Sequence, residues 1–409
     1  MLVRKLTPQE HYRAHLVQAV AFEGNCDYQK EKEEAEKQAE QGAPQRADTW
    51  MWGSFSDDES VLYGCMNIRQ YSCHFDGGEV FMGGVGGVAS LPQYRRNGAI
   101  RATITAALQD MYEKGFAFSF LYPFSTQYYR KFGYEVGAQA YRWTLPLSDL
   151  PGQDVGGTVE QLLPGDSTQP LLDIYREFYR DYNLAAHRAV FEEELEKENL
   201  INQQRYIFVW RDETGKARSF LICHKKQEAE GAVMDCTNDF PMRNGLLFLD
   251  ARALQGLFYF IKTAFPAYYQ KIRFTVPGAI PLASMVGENN TAHCQLFFNT
   301  MIRAVNVQKV LSSCRCKGSG TLCMRITDAT LPQNDGVWRV HFAPGEANRV
   351  EATQEEPDVT MTVNDFSALI AGARGAEDIP WMPRVQVHHA GAPLKQVFYR
   401  KPCYIMDLF

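Results

Sequence analysis

The sequence predicts an α+β protein: two successive domains of similar plan, then a third. Three observations predict it. At 409 residues the chain has the length of two or three domains of about 150 residues each. Strand-like and helix-like runs follow one another in the order strand, helix, three antiparallel strands, helix, strand, helix, strand, and a second segment repeats much of that plan. Apolar residues make up 45% and charged residues 22%, enough for several cores and too little charge for a disordered chain. The expected domains are 1–150, 151–290 and 291–409.

In the first domain, Leu2-Val3-Arg4-Lys5-Leu6 reads as a strand. Thr7-Pro8-Gln9-Glu10 then opens a helix with a capping box and a proline at its first position. Residues 28–41, rich in Lys, Glu and Gln, read as a solvated helix face or arm. Thr49 to Phe55 and Ser60 to Arg69 are strands around the polar turn Ser56-Asp57-Asp58-Glu59. The strand Glu79 to Ser90 contains Gly83, Gly84, Gly86 and Gly87, which predicts that another molecule's backbone docks beside it. A helix follows from about Asn97 to Lys114, with Ile100, Ile104, Ala107, Leu108 and Met111 on one face. Phe116 to Phe124 reads as a buried strand, Ser125 to Phe132 as a short helix and Tyr134 to Leu145 as the closing strand.

Beyond Leu150-Pro151-Gly152 the plan recurs. Pro170 to Asn183 and Val190 to Asn199 are helical, Arg205 to Arg211 pairs with Ala217 to Lys225, and Ala251 to Ala264 precedes the strand Lys271 to Val276. This second segment lacks a counterpart of the glycine-rich strand and of the arginine-rich turn after it. In the last segment, strands such as Gly336 to Phe342 and Val359 to Val363 alternate with the helix Asn364 to Gly372. The sequence ends at Tyr404-Ile405-Met406-Asp407-Leu408-Phe409 without a polar tail.

Forty-two Lys and Arg against 48 Asp and Glu give a net charge of -6, so neither nucleic acid nor an anionic membrane is an expected partner. Charge of that sign favours a cationic one. Met1 to Ala21 has no unbroken apolar core of the kind a leader needs, and no run approaches the roughly 18 apolar residues of a membrane span. Ten cysteines at irregular spacing in a long chain read as reduced thiols of a cytoplasmic protein. Cys314, Cys316 and Cys323 cluster, but no second Cys pair or nearby histidine completes a tetrahedral set, so no metal is expected.

The strongest chemical signal is Val88-Ala89-Ser90-Leu91-Pro92-Gln93-Tyr94-Arg95-Arg96-Asn97-Gly98-Ala99-Ile100, a strand running through a basic turn into a helix. Unpaired N–H groups at the helix start and the positive end of its dipole form an anion site. Gly98 leaves room for a pyrophosphate, Arg95 and Arg96 add charge, and the backbone of Val88 to Ser90 can pair with an amide-bearing arm. Pyrophosphate plus amide arm describes coenzyme A; the alternative is a surface turn with two solvated arginines. Here the chain resembles the GNAT acetyltransferases, whose Arg/Gln-x-x-Gly-x-Gly/Ala signature matches Arg95-Arg96-Asn97-Gly98-Ala99-Ile100 with Ile100 in place of the final small residue.

A second constellation is Tyr122-Pro123-Phe124-Ser125-Thr126-Gln127-Tyr128-Tyr129-Arg130-Lys131-Phe132-Gly133-Tyr134. Transfer from a thioester needs a donor for the departing thiolate, and a phenol can serve; two packing aromatics are the alternative. At most one of Tyr128 and Tyr129 can face the sulfur. The chain end is a third feature. Its carboxylate is a weak base that could hold an ammonium substrate, although from the residues alone an ordinary terminus packed by Leu408 and Phe409 is the simpler reading.

Over its full length the sequence resembles the Eis-type (enhanced intracellular survival) N-acetyltransferases. The resemblance rests on Val88 to Ser90, Arg95-Arg96-x-Gly98-x-Ile100, Tyr129-Arg130-Lys131-Phe132-Gly133-Tyr134 and the end at Phe409. It implies two tandem GNAT acyl-CoA N-acyltransferase domains, the second degenerate, followed by a sterol-carrier-protein-like α/β domain. It further implies acetyl-CoA as co-substrate, held by Val88, Ala89 and Ser90, by Arg95, Arg96, Asn97, Gly98, Ala99, Ile100 and Arg101, and by Phe124 and Ser125. Tyr129 becomes the general acid and the Phe409 carboxylate the general base. The implied acceptors are amines of polycationic small molecules such as aminoglycosides, with protein lysines or polyamines as rivals, and the implied assembly is a homo-hexamer. A non-catalytic acyl-CoA or lipid binder is the rival from another class.

Overall fold

The structure, a computed structural model, describes residues 1–40, 48–187, 205–237, 245–287, 290–298 and 300–407. They divide into two compact units: Met1–Gly137 with Thr300–Arg400, and Ala138–Asn299 with the tail from Lys401.

The first unit begins with β1 (Leu2–Lys5), α1 (His11–Phe22) and α2 (Tyr28–Glu40). The expected capping box forms: the Glu10 carboxylate accepts from the backbone N–H of Thr7 at 2.9 Å and from its hydroxyl at 3.1 Å. Then come β2 (Thr49–Phe55), β3 (Leu62–Phe75), β4 (Gly78–Ser90), α3 (Ala99–Glu113), β5 (Phe118–Leu121), α4 (Thr126–Arg130) and β6 (Glu135–Val136). β3 is longer than its apolar pattern predicts, because Asp76 and Gly77, both at positive φ, close a tight hairpin to β4. The sheet runs β1-β2-β3-β4-β5, then the strand Met301–Ala304, then β6. Ile104, Leu108 and Met111 of α3 pack on one face with Met66, Ile68 and Val85; Ala14 and Val17 of α1 pack with Phe55, Cys65 and Ala89 in a separate cluster. Each fully buried Val, Leu, Ile, Phe or Met among them contributes about 1.5–3 kcal/mol.

β4 and β5 run parallel, and their pairing stops at Val85 and Leu121. β4 continues to Ser90 against β3 alone, with a bulge opposite Cys65–Asn67. Among the described residues no strand pairs with its other edge beyond Val85. Two of the four glycines also serve the protein's own packing. A side chain at Gly83 would strike Met111 of α3. Gly87 (φ +57) sits in the bulge, where Gln18 donates to its carbonyl at 3.1 Å. What opens β4 to a ligand is the departure of β5.

The closing strand expected over Tyr134 to Leu145 is divided at Gly137. β6 stays in the first sheet, while β7 (Gln139–Pro146) lies in the second, between Lys271–Pro277 and His293–Phe298. In exchange the strand Met301–Ala304, which follows the second segment in the chain, returns to the first sheet between β5 and β6. The contact-defined boundary thus falls at 137/138, ahead of the expected 150/151.

In the second unit an eight-stranded sheet repeats the first plan. Gly231–Asp235 lies parallel to Lys271–Pro277 as β4 does to β5, with the helix Ala251–Ala264 between them in sequence. The helix expected at Val190 to Asn199 lies outside the described residues. From Gly320 onward a five-stranded sheet with the helix Val363–Ile370 completes the chain's third fold, packed within the first unit.

Candidate active site

Where β4 parts from β5, the chain turns from Ser90 into α3. Arg95 is extended, Arg96 is left-handed (φ +66) and Gly98 is left-handed again (φ +89). Alternation of this kind points successive N–H groups to one side, as in anion-binding nests. Asn97 Oδ1 accepts from the Ala99 N–H at 2.9 Å, fixing the turn against the helix start. A Cβ at Gly98 would meet nothing within 4 Å, so glycine is needed there for its φ and leaves the approach to the first helical turn clear.

Val88, Ala89, Ser90, Arg95, Arg96, Asn97, Gly98, Ala99, Ile100, Arg101 and Phe124 all line a single cleft of about 970 Å³, toward the upper end of small-molecule sites. Of the residues expected to hold acyl-CoA, only Ser125 is elsewhere: its hydroxyl caps α4 by accepting the Tyr128 N–H at 3.3 Å. Among the described residues the cleft walls carry Arg95, Arg96, Arg101 and Lys131 and no carboxylate. A chain of net charge -6 has therefore gathered four cations around one concavity. Its global charge, which favours a cationic partner, is locally reversed.

Ala21 and Phe22, outside both sequence constellations, also line the cleft, together with Tyr94 of the basic turn and Tyr128, Lys131 and Phe132 of the second constellation. Phe22 ends α1 before a left-handed Glu23 and is 61% exposed; Phe124 is 75% exposed. An aromatic beside a helix stop was the signal available for Phe22, but only the fold brings it to the loop after β4.

Tyr128 and Tyr129 diverge as expected. Tyr128 faces the cleft, between Phe124 and Phe132. Tyr129 is 3% exposed and belongs to the cluster that holds Val85 and Leu121, the last paired residues before the strands part. Burial, with the neighbouring Tyr128 and Tyr134 phenols, pushes its pKa well above the usual tyrosine range, so it is held protonated. Among the described residues no hydrogen-bond partner of its hydroxyl is found.

The loop behind Tyr129 is tightly held. Gly133 adopts φ +85, and any side chain there would collide with the Arg303 guanidinium, which is fully buried and donates to both oxygens of Asp328 at 3.0 and 2.8 Å. Tyr134, fully buried, shares a 2.7 Å hydrogen bond with Ser119, and burial pushes its pKa up to about 12. Arg130 and Arg384 both donate to Glu135 at 2.6 Å.

The acidic residues Asp27, Glu31 and Glu34 do not line the cleft. Asp27 accepts the Lys30 N–H, Glu31 pairs with His15 at 3.0 Å, and Glu34 lies 3.9 Å from Lys30. Trp52 packs with the α3 cluster beneath the Lys5 ammonium. Phe409 lies outside the described residues. Cys314 and Cys316 are 3.8 Å apart, whereas Cys323 donates to Glu355, and among the described residues no group of three metal-ligating side chains assembles.

In the second unit the helix Ala251–Ala264 has Asp250 at its N-cap, accepting the Ala253 N–H at 2.8 Å and paired with Arg218 at 2.5 Å. A carboxylate stands where the first unit has Gly98 and two arginines, so this helix start is already neutralised.

Residues 2–137 match the family model of the acetyltransferase (GNAT) domain, and residues 307–406 match that of the sterol carrier protein domain. Among solved structures, a probable N-acyltransferase of unknown function from Enterococcus faecalis superposes over 100% of this chain and 99% of its own with a TM-score of 0.82 at 22% identity. A GCN5-related N-acetyltransferase from Anabaena variabilis does so over 100% of both chains (TM-score 0.81, 18% identity), and Eis1 from Mycobacterium abscessus over 100% and 98% (TM-score 0.75, 17% identity). These identities establish a shared fold over the whole length. No curated protein matches significantly by sequence.

Proposed function

We propose that this Eis-like GNAT acyltransferase moves an acetyl group from acetyl-CoA to an amine of a polycationic small molecule, of the aminoglycoside kind, by direct transfer in a ternary complex. The observation that carries the reading is the four-cation cleft at the α3 start, continuous with the free edge of β4. That pairing suits an anionic nucleotide with an amide arm. Acetyl-CoA supplies the thioester.

In this reading Arg95, Arg96 and the N–H groups around Gly98 hold the pyrophosphate, Arg101 adds charge, and Val88 to Ser90 pair with the amide arm as an added strand would. Phe124 covers the arm on the other side, and Ser125 acts through the α4 cap. A strand N–H near Ser90 stabilises the oxyanion. The Tyr129 hydroxyl, protonated by its burial and without a competing partner among the described residues, gives its proton to the leaving thiolate. The acceptor amine is held and deprotonated at the Phe409 carboxylate, directly or through water, an assignment that rests on the family resemblance alone.

The second GNAT-like unit is read as degenerate because Asp250 occupies its helix start. The same resemblance supports a cytoplasmic homo-hexamer. No helix among the described residues is long and apolar enough to cross a membrane.

The test is thiol release from acetyl-CoA across a panel of aminoglycosides, polyamines and lysine peptides, beside direct measurement of acetyl-CoA affinity. Aminoglycoside-dependent release supports the reading. Release with polyamines or peptides alone moves the acceptor to those classes, and tight binding without turnover on any amine makes the protein a carrier.

A further inference from the structure

We infer that the second unit carries a separate binding site for a small phosphorylated anion, formed on one face of its sheet by residues of β7 and its neighbours. The strand register sets the site. Along one row His293 lies opposite Thr144, Thr144 opposite Arg273, and Arg273 opposite Asp235; one step along, Gln295 lies opposite Arg142. Paired residues share a face, neighbouring strands are about 4.8 Å apart, and residues two apart on a strand rise about 7 Å. Two arginines, a threonine, a histidine and an amide therefore converge on one patch. They line a cavity of about 260 Å³ together with Lys226 and Thr237.

The charges that face the cavity leave it positive. Asp235 is 1% exposed and its carboxylate is already taken: one oxygen accepts the Thr237 N–H and hydroxyl at 2.9 and 2.6 Å, the other faces Arg273 at 3.2 Å. Glu228 accepts two further bonds from Arg273 at 2.9 and 3.1 Å. Arg142, Lys226 and Arg273 against Asp235 and Glu228 leave one net positive charge.

Arg142 is the residue that asks for a ligand. Its Nε is buried and has no hydrogen-bond partner among the described residues, while its guanidinium stacks 5.1 Å from the Phe297 ring. Thr275, directly opposite Arg142 and fully buried, likewise leaves its hydroxyl without a partner. An unmet buried donor of this kind is unfavourable, more so when charged, and two neighbouring ones on a cationic face are met by an oxyanion. A phosphate offers enough acceptor oxygens for donors arriving from three strands. The cavity is too small for a nucleotide the size of coenzyme A, so the ligand is free phosphate or a compact phosphate monoester.

The test is calorimetric titration of the full chain with inorganic phosphate and with glycerol phosphate, against sodium chloride at matched ionic strength. Saturable heat that falls about tenfold in affinity in Arg142→Met, and less in the milder Thr144→Val, supports the site; binding of the monoester alone supports it with that source. Because the acyl-donor cleft is also cationic, Arg96→Ala must leave this binding unchanged. The inference is overturned if wild-type protein responds to phosphate no more than to chloride, if Thr144→Val and Arg142→Met bind as wild type does, or if Arg96→Ala removes the signal.

Discussion

The side-chain amide of Asn364, on the helix Val363–Ile370 of the sterol-carrier-like domain, donates to the carbonyl oxygen of Tyr134 at 2.8 Å. The same amide reaches the carbonyl of Arg130 at 2.9 Å. Asn364 thus bridges the two ends of the loop that follows Tyr129, and the third domain holds the proposed acid in place from behind. Asn364→Ala leaves the buried Tyr134 carbonyl without this donor, at about 1–3 kcal/mol, while the Arg130 carbonyl keeps the Gly133 N–H at 3.1 Å. The expected outcome is a lower midpoint of thermal unfolding and a reduced kcat with the KM for acetyl-CoA unchanged. Asn364→Asp, which cannot donate, should behave alike.

Tyr129→Phe removes a hydroxyl that bonds to nothing else among the described residues, so unfolding temperature and acetyl-CoA affinity should hold. If Tyr129 is the acid, kcat falls by about 10²-fold or more. Tyr128→Phe is the control and should keep near-wild-type turnover. Equal, small losses in both would remove Tyr129 from the mechanism.

The same burial fixes a pH dependence. A phenol whose pKa is raised above 10.0 stays protonated through the neutral range and beyond. Turnover should therefore show no alkaline fall assignable to Tyr129 between pH 7 and about pH 9. An alkaline limb in that interval that disappears in Tyr129→Phe would contradict the assignment.

Arg96 is exposed on the cleft wall. Arg96→Ala should weaken acetyl-CoA binding about tenfold, the size of one charge-assisted hydrogen bond, and flatten the dependence of affinity on salt. Gly98→Ala meets no neighbour but must hold φ +89, so it should cost about 1–2 kcal/mol of stability and loosen the same site.

Glu135 tests the rear of the site. Burial alone would raise its pKa, but hydrogen bonds from Arg130, the Val136 N–H and Arg384 outweigh it and hold the carboxyl below its usual 4.5. A depressed folded pKa stabilises the protein above the unfolded value and loses that contribution as pH falls through the folded one. Glu135→Gln should cost about 1–3 kcal/mol at pH 7, less than a fully buried pair because both arginines are partly exposed. The gap to wild type, measured by urea unfolding, should narrow steadily below about pH 4.5.

Much of the fold and the cleft was legible because the signals are local. The α3 periodicity, the Thr7–Glu10 cap and the basic turn with its left-handed glycine each depend on neighbours within a few residues, and the structure places Val88 to Ser90 and Tyr94 to Arg101 along one cleft. Other features are decided by a distant segment. The glycines of β4 read as an opening for a ligand, yet Met111 and Gln18 fill two of those positions. The run from Tyr134 to Leu145 read as one strand because nothing in its pattern announces that Gly137 hands it from one sheet to another.

The sequence alone determined the chemistry on offer at the turn after β4: a helix start without side-chain obstruction, flanked by arginines, which local backbone preference and the helix dipole make an anion site. Only the tertiary structure decided that β5 leaves β4 at Val85, that Arg101 and Lys131 join Arg95 and Arg96 while no carboxylate of the described residues does, and that Gly133 must stay bare beneath Arg303. The physical reason is one of range. Propensity and capping act over a turn or two, whereas the sign of a cleft's field and the space around a loop are set by side chains that sequence separates by up to 170 residues and packing brings together.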